Sequence, residues 1–120
     1  MNSRIQALER RIDGIKRELV RLGDLRFGSL SQQYNVCGGP GCRCKASPPV
    51  KHGPYYQLSY TRKGKSSTRF VRPMSLGTVR RQIRNYAKLR ELVDQWGDLA
   101  TELSNLKIDQ RQKAALRRGS

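Results

Sequence analysis

Three cysteines and the only histidine of the chain lie close together in the sequence, with the spacing C-x4-C-x-C-x7-H. These four residues are Cys37, Cys42, Cys44 and His52. Thiolates and a neutral imidazole are the ligands that tetrahedral Zn²⁺ prefers, and four of them complete a structural site. The Gly-Gly-Pro-Gly turn between the first two cysteines allows the backbone to fold around an ion. The pattern therefore predicts a structural zinc ion with no open position for a substrate.

Other uses of the same residues stay open. Three cysteines with His52 or an external ligand could hold an iron–sulfur cluster. A catalytic Cys–His pair is a weaker alternative, since one nucleophile does not need two further cysteines nearby. Buried inert thiols are disfavoured because the surrounding segment has no apolar periodicity. His52 is the least secure member, since water or another chain could supply the fourth ligand.

Catalysis is disfavoured by the residues available. The only histidine is assigned to the metal site, which leaves none for general acid–base catalysis. Residues 23–74 contain a single carboxylate, Asp24, whereas a Mg²⁺-dependent nuclease needs several. A tyrosine nucleophile at Tyr55 or Tyr56 would lack a supporting histidine. We therefore expect a protein that is not an enzyme.

The charge of the chain points to a polyanionic partner. Its 120 residues include 25 Lys and Arg against 9 Asp and Glu, a net charge of +16. Positive side chains at this density repel one another in a compact protein unless a bound anion neutralises them. Nucleic acid is favoured over an anionic membrane surface, because no segment combines a wide aromatic face with a dense basic face. A merely basic protein is the remaining alternative.

Half of the excess charge lies in residues 23–74, which carry nine Lys and Arg against Asp24. This segment is therefore the best candidate for contacting an anion. Three arginines near the start of the following helix extend the candidate surface, since cations are unfavourable at that end of a helix unless an anion binds there. The predicted nucleic-acid-binding residues are Arg43, Lys45, Lys51, Tyr55, Arg62, Lys63, Lys65, Arg69, Arg72, Arg80, Arg81 and Arg84.

A β-hairpin is predicted to present these side chains. Tyr56, Leu58 and Tyr60 alternate with polar residues, and Gly64 lies in a short basic turn before a second strand that ends near Val71. We expect the alternating apolar side chains to pack against helices. The basic tip suits phosphates of a major groove, and interleaved aromatic residues suit unpaired bases.

Two helices flank this segment. The first spans residues 2–22, with apolar residues in a heptad pattern and Asn2 or Ser3 as its cap. The second spans residues 75–107 and has one three-residue interruption of its heptads between Tyr86 and Leu92. The first seam consists of Ile5, Leu8, Ile12, Ile15, Leu19 and Leu22, and the second of Val79, Ile83, Tyr86, Leu89, Leu92, Trp96, Leu99, Leu103 and Leu106.

The sequence thus predicts an α+β protein of four segments. Two long helices form an antiparallel coiled-coil hairpin, or the arms of a homodimer, around a small zinc-stapled β-hairpin module. The segments are an N-terminal helix, the metal loop with the basic hairpin, a long C-terminal helix and a basic tail: residues 1–22, 23–74, 75–107 and 108–120.

The central block resembles a known family. The run CGGPGCRC, followed by HGPYYQLSYTRKGKSSTRFV, is similar to small prokaryotic proteins that share a domain of unknown function. The resemblance covers roughly residues 28–71 and includes similar flanking helices. It implies a setting near mobile elements and brings no established activity.

Together these features predict a non-enzymatic, zinc-stabilised nucleic-acid-binding protein, with DNA slightly favoured over structured RNA and a role accessory to a mobile element. The alternative is a protein–protein adaptor or a small subunit of a nucleoprotein complex that uses its helices for docking. Three cysteines without an even pairing, no apolar leader and no membrane-spanning stretch favour the cytoplasm.

Overall fold

The computed structural model describes residues 2–35 and 52–119 of the chain. Two helices and a three-stranded antiparallel sheet make an α+β protein, as predicted. The elements are α1 (Ser3–Arg21), β1 (Ser29–Asn35), β2 (His52–Arg62), β3 (Lys65–Val71), a 3₁₀ turn (Pro73–Ser75) and α2 (Leu76–Gly119).

The chain divides into two compact units that share α2. The helical unit comprises Met1–Gly23 and Ala87–Ser120, and the sheet unit comprises Asp24–Tyr86. No helix within the described ranges is long and apolar enough to cross a membrane.

Helix α1 begins as the sequence predicts. The Asn2 side chain accepts hydrogen bonds from the backbone N–H groups of Arg4 (2.9 Å) and Ile5 (3.4 Å), which satisfies donors that a helix start leaves unpaired. The apolar residues at heptad spacing form one face, and four of them are buried. These are Ile5, Leu8, Ile12 and Ile15.

The core of the helical unit forms between α1 and the later part of α2. Leu8 is fully buried and Leu92 is 1% exposed. The other buried members are Ile12, Ile15 and Leu99, with Leu19, Leu22, Trp96, Ala100, Leu103 and Leu106 packed around them. The predicted seams of the two helices therefore meet in residues 87–106. The antiparallel coiled-coil geometry stays a prediction.

Helix α2 continues past its predicted end at residue 107 to Gly119. The apolar spacing ends after residue 107, and this loss predicted a non-helical tail. Residues 108–119 are nevertheless rich in Ala, Leu, Arg, Lys and Gln, which have high intrinsic helix propensity, and contain no proline. The high helix propensity of these residues explains a helix that the apolar periodicity did not predict.

The predicted hairpin is present, and it gains a third strand. Strand β2 pairs with β3, and β1 pairs with the other edge of β2, with Leu30 opposite Leu58. Gly28 leads into β1 with φ of 128°, and a Cβ there would lie 2.8 Å from the Ser59 carbonyl oxygen. The sequence did not indicate β1 because its residues, SLSQQYN, include few large apolar side chains.

One face of the sheet packs against the first turns of α2. Leu58 is 1% exposed, and it packs in a cluster with Val71 and Leu76. The residues around this cluster are Leu30, Tyr56, Tyr60, Val79 and Ile83. The predicted packing of Tyr56, Leu58 and Tyr60 against a helix is confirmed. The assignment of Val79 and Ile83 to the helix–helix seam is wrong, because they cover the sheet instead.

We expect Leu58→Ala to lower the free energy of unfolding by about 2–5 kcal/mol, because it leaves a cavity in a tightly filled core. Phe70→Ala is the matched control, since Phe70 on the neighbouring strand is 68% exposed and its truncation should cost within about 0.5 kcal/mol. Denaturant unfolding of both variants measures the difference. Equal effects would show that the two sheet faces are assigned incorrectly.

Candidate nucleic-acid interface

The three cysteines of the predicted zinc set lie outside the described residues, as do Arg43, Lys45 and Lys51. His52 begins β2, and its side chain is also outside the description. Within residues 2–35 and 52–119, no group of three or more metal-ligating side chains comes together. The zinc set stays a prediction.

The strands on either side of residues 36–51 in the sequence pair with each other. Asn35 at the end of β1 pairs with His52 at the start of β2, after an irregularity in register that follows Gln33. Cys37 follows Asn35 by two residues in the sequence. The backbone of His52 thus lies beside the residue that precedes Cys37 by two positions in the sequence.

The basic tip of the hairpin is built by a two-residue turn. Lys63 has φ of 52° and Gly64 has φ of 77°, the left-handed pair typical of a type I′ turn, whose twist matches that of the strands. Arg62 and Lys65 pair directly across it. Because β1 pairs only as far as Ser59, residues 60–67 form a two-stranded ribbon. The predicted Arg62, Lys63 and Lys65 are therefore exposed together at one end of the sheet.

Aromatic rings, rather than carboxylates, position several arginines of the sheet unit. The guanidinium carbon of Arg62 lies 4.2 Å from the centre of the Phe27 ring. Phe27 in turn meets Tyr86 edge to face, with ring centres 4.6 Å apart. Cation–π contacts of this kind hold a guanidinium in place and leave its edge N–H groups available for phosphate oxygens.

Two further arginine–ring pairs lie on the helix-facing side of the sheet. The guanidinium carbon of Arg26 lies 5.1 Å from the Tyr60 ring centre, and that of Arg80 lies 5.9 Å from the Tyr56 ring centre. Sequence reasoning missed Arg26 and Phe27. The available signal was a basic–aromatic dipeptide directly before Gly28, but its partners lie far along the chain.

Arginines line a groove on each side of the first turns of α2. Toward β1, Arg80 and Arg84 line a groove of about 510 Å³. Toward β3, Arg26, Arg69 and Arg72 line a cleft of about 500 Å³. Arg81 is exposed. The structure thus places the predicted arginines of β3 and α2 around one helix end.

The charge of the described sheet unit is one-sided. Residues 24–35 and 52–86 contain nine Lys and Arg but only one acidic residue, Asp24. None of these nine cations forms an ion pair within the described part of the chain. The ion pairs Arg4–Glu102 (2.7 Å) and Lys107–Glu9 (3.8 Å) belong to the helical unit. Positive potential is therefore concentrated on the sheet unit.

The face of the sheet opposite α2 has a different character. By strand register its residues are Ser29, Ser31, Gln33, Tyr55, Gln57, Ser59, Thr61, Ser66, Thr68 and Phe70, and none of them is charged. Tyr55 is 41% exposed and Phe70 is 68% exposed. Exposed aromatic rings among small polar side chains can stack on unpaired bases. The predicted Tyr55 thus lies on this neutral face, separate from the arginine grooves.

Gly64→Ala should lower the free energy of unfolding by about 1 kcal/mol, because a Cβ disfavours the left-handed conformation at φ of 77°. No atom lies within 4 Å of that Cβ, so the backbone conformation is the only cause. Gly14→Ala is the control with the opposite sign, since Gly14 lies inside α1 with the same open surroundings and should gain about 1 kcal/mol. Thermal unfolding reports both changes, and a neutral Gly64→Ala would argue against the type I′ turn.

The arrangement defines an α+β protein with a basic sheet unit, several of whose arginines rest on aromatic rings. A family model described as a domain of unknown function (DUF6788) matches residues 5–81. The chain belongs to this family. The match runs from α1 through the sheet to the arginines at the start of α2. No curated protein and no solved structure gives a significant match.

Proposed function

We propose that this chain is a non-enzymatic nucleic-acid-binding protein whose sheet unit contacts phosphates. One observation carries the proposal: the described sheet unit holds nine Lys and Arg against one Asp, and none of the nine forms an ion pair within residues 2–35 and 52–119. Arginines that rest on aromatic rings retain several donors for phosphate oxygens. Such a surface suits a polyanion with spaced phosphate groups.

The shape of the tip supports DNA ahead of structured RNA. A two-stranded ribbon is narrow enough for the major groove of B-form DNA, whereas the major groove of A-form RNA is too narrow and deep to read. The tip carries Arg62, Lys63 and Lys65 for the phosphates that border the groove. Unpaired bases on the neutral face, at Tyr55 and Phe70, are the route by which RNA or single strands would bind.

We expect affinity for a labelled DNA duplex to fall steeply with salt. If about six phosphates are neutralised, the plot of log affinity against log salt concentration has a slope of about −5. Replacing Arg62, Lys63 and Lys65 together with Ala removes three of these contacts and should bring the slope to about −3. Fluorescence anisotropy measures both slopes at salt concentrations from roughly 50 to 200 mM, the range over which phosphate contacts change the affinity strongly.

A matched control separates position from total charge. Replacing Arg10, Arg11 and Arg17 with Ala removes the same number of cations from exposed positions on α1, and the slope should stay near that of the unchanged protein. Equal losses in the two triple variants would mean that the charge acts without a defined surface. A flat salt response in the unchanged protein would contradict the proposal.

We propose in addition that Cys37, Cys42, Cys44 and His52 bind a structural zinc ion. The donor types and their number fit a closed tetrahedral site. The pairing of Asn35 with His52 supports this set, because it holds the histidine backbone beside the strand that leads to Cys37. In the sequence, the proposed ligands lie next to the predicted phosphate-binding residues Arg43, Lys45 and Lys51.

Mass spectrometry under native conditions should find one zinc ion per chain. Cys42→Ser and His52→Asn should each lose the ion, because three ligands hold zinc far less tightly than four. Tyr55→Phe is the control. Tyr55 is close to His52 in the sequence but is not one of the proposed ligands, so this variant should keep the zinc ion. Full zinc content in His52→Asn would remove the histidine from the ligand set, and iron with acid-labile sulfide would indicate a cluster instead.

A groove on the helical unit favours a second candidate function, docking to a protein. The groove measures about 470 Å³ and has an apolar floor that includes Ile12, Trp96 and Leu103. Lys16, Lys107 and Arg111 border it. An amphipathic helix with acidic flanks complements both features, and a larger nucleoprotein complex could supply one. A second copy of this basic chain would meet like charges there, although a homodimer through other surfaces stays part of the proposal.

The setting is proposed on sequence grounds. The resemblance of the central block implies a prokaryotic host and a role beside a mobile element, and three cysteines that cannot all pair favour the cytoplasm. We propose that α1 and α2 form an antiparallel coiled-coil hairpin, or the arms of a homodimer.

A further inference from the structure

We propose that the cleft between β3 and the start of α2 is a binding site for a phosphomonoester, such as a mononucleotide or the terminal phosphate of a strand. The cleft measures about 500 Å³, within the range of small-ligand sites. Three arginines line it, Arg26, Arg69 and Arg72, together with Ser75, Thr78 and Gln82. None of the described residues that line it is acidic. Where the phosphate belongs to a strand end, this inference rests on the proposed function.

Arg26 is the least exposed of the three arginines that line the cleft. Its Nε atom is buried and has no hydrogen-bond partner among the described residues. Because that atom offers no surface to a water-sized group, an oxyanion in the cleft would accept hydrogen bonds from the outer guanidinium nitrogens of Arg26.

The surroundings hold Arg26 in place without neutralising it. Its backbone N–H donates to the Gln82 carbonyl oxygen at 3.1 Å, and its guanidinium stacks over the Tyr60 ring. Asp24, two residues earlier, receives a hydrogen bond from the Asn85 side chain on its backbone carbonyl, 3.0 Å away. Two contacts with α2 thus anchor the segment that carries Arg26. Rigid placement lowers the entropy lost when a ligand binds.

The concave shape selects a terminal phosphate over a backbone phosphate. A phosphodiester has sugars on both sides and reaches exposed side chains most easily, whereas a monoester presents three free oxygens and a charge near −2 at neutral pH. Three guanidinium groups supply enough paired donors for those oxygens. Hydroxyl groups of Ser75 and Thr78 lie at the start of α2, where the helix dipole adds a favourable field.

The test compares two oligonucleotides of identical sequence, one with a 5′-phosphate and one with a 5′-hydroxyl, and adds a mononucleotide as a separate probe. For the full chain we expect the phosphorylated strand to bind about tenfold more tightly, and the mononucleotide to shift amide NMR signals of β3 and the start of α2. Arg26→Gln and Arg72→Gln should each bring the ratio of the two affinities close to one. Arg17→Ala, on α1, should leave the ratio unchanged.

The outcomes separate the sources of phosphate. A tenfold preference for the 5′-phosphate assigns the cleft to strand ends, and mononucleotide binding without that preference assigns it to free nucleotides. Either result upholds the cleft if Arg72→Gln abolishes it, and because Arg72 is exposed, that variant should keep its fold. Absence of both effects overturns the inference, while salt-dependent duplex binding would still stand on its own.

Discussion

Each of the two hydrophobic cores depends on apolar residues of α2. The first turns of α2 cover the sheet through Leu76, Val79 and Ile83, and later turns bury Leu92 and Leu99 against α1. The interruption in its heptad pattern, between Tyr86 and Leu92, coincides with the change from one core to the other. A helix that must serve two partners cannot keep a single apolar stripe.

The distribution of carboxylates separates the roles of the two units. Eight of the nine acidic residues lie in the helical unit, where Glu9 and Glu102 pair with cations of the same unit. Exposed pairs of this kind contribute little stability. Their effect is to balance charge locally, so that the long-range positive field originates mainly from the sheet unit. Arginines there rest on tyrosine and phenylalanine rings, which support a cation without cancelling it.

The parts of the fold that follow from local patterns could be predicted, and those that depend on distant contacts could not. The strand alternation around Leu58 and the glycine at position 64 give the hairpin, and the capping Asn2 gives the start of α1. Strand β1 was not predicted because polar side chains dominate it. The role of Arg26 was not predicted because it depends on contacts with Tyr60 and Gln82, which are distant in the sequence and close only in the folded chain.

The predicted binding residues divide in the same manner. Their basic character is visible in composition, but their grouping into a tip and two grooves depends on strand register and on which face of α2 meets the sheet. The metal ligands were the clearest sequence signal, and they stay a prediction because three of them lie outside the described residues.

The pairing of Asn35 with His52 joins two sheet positions that lie far apart in the sequence. The entropy cost of joining two positions of a chain rises by only about 0.6 kcal/mol for each doubling of the number of residues between them. We therefore expect the register of β1 and β2 to tolerate changes in the length of the sequence between Asn35 and His52.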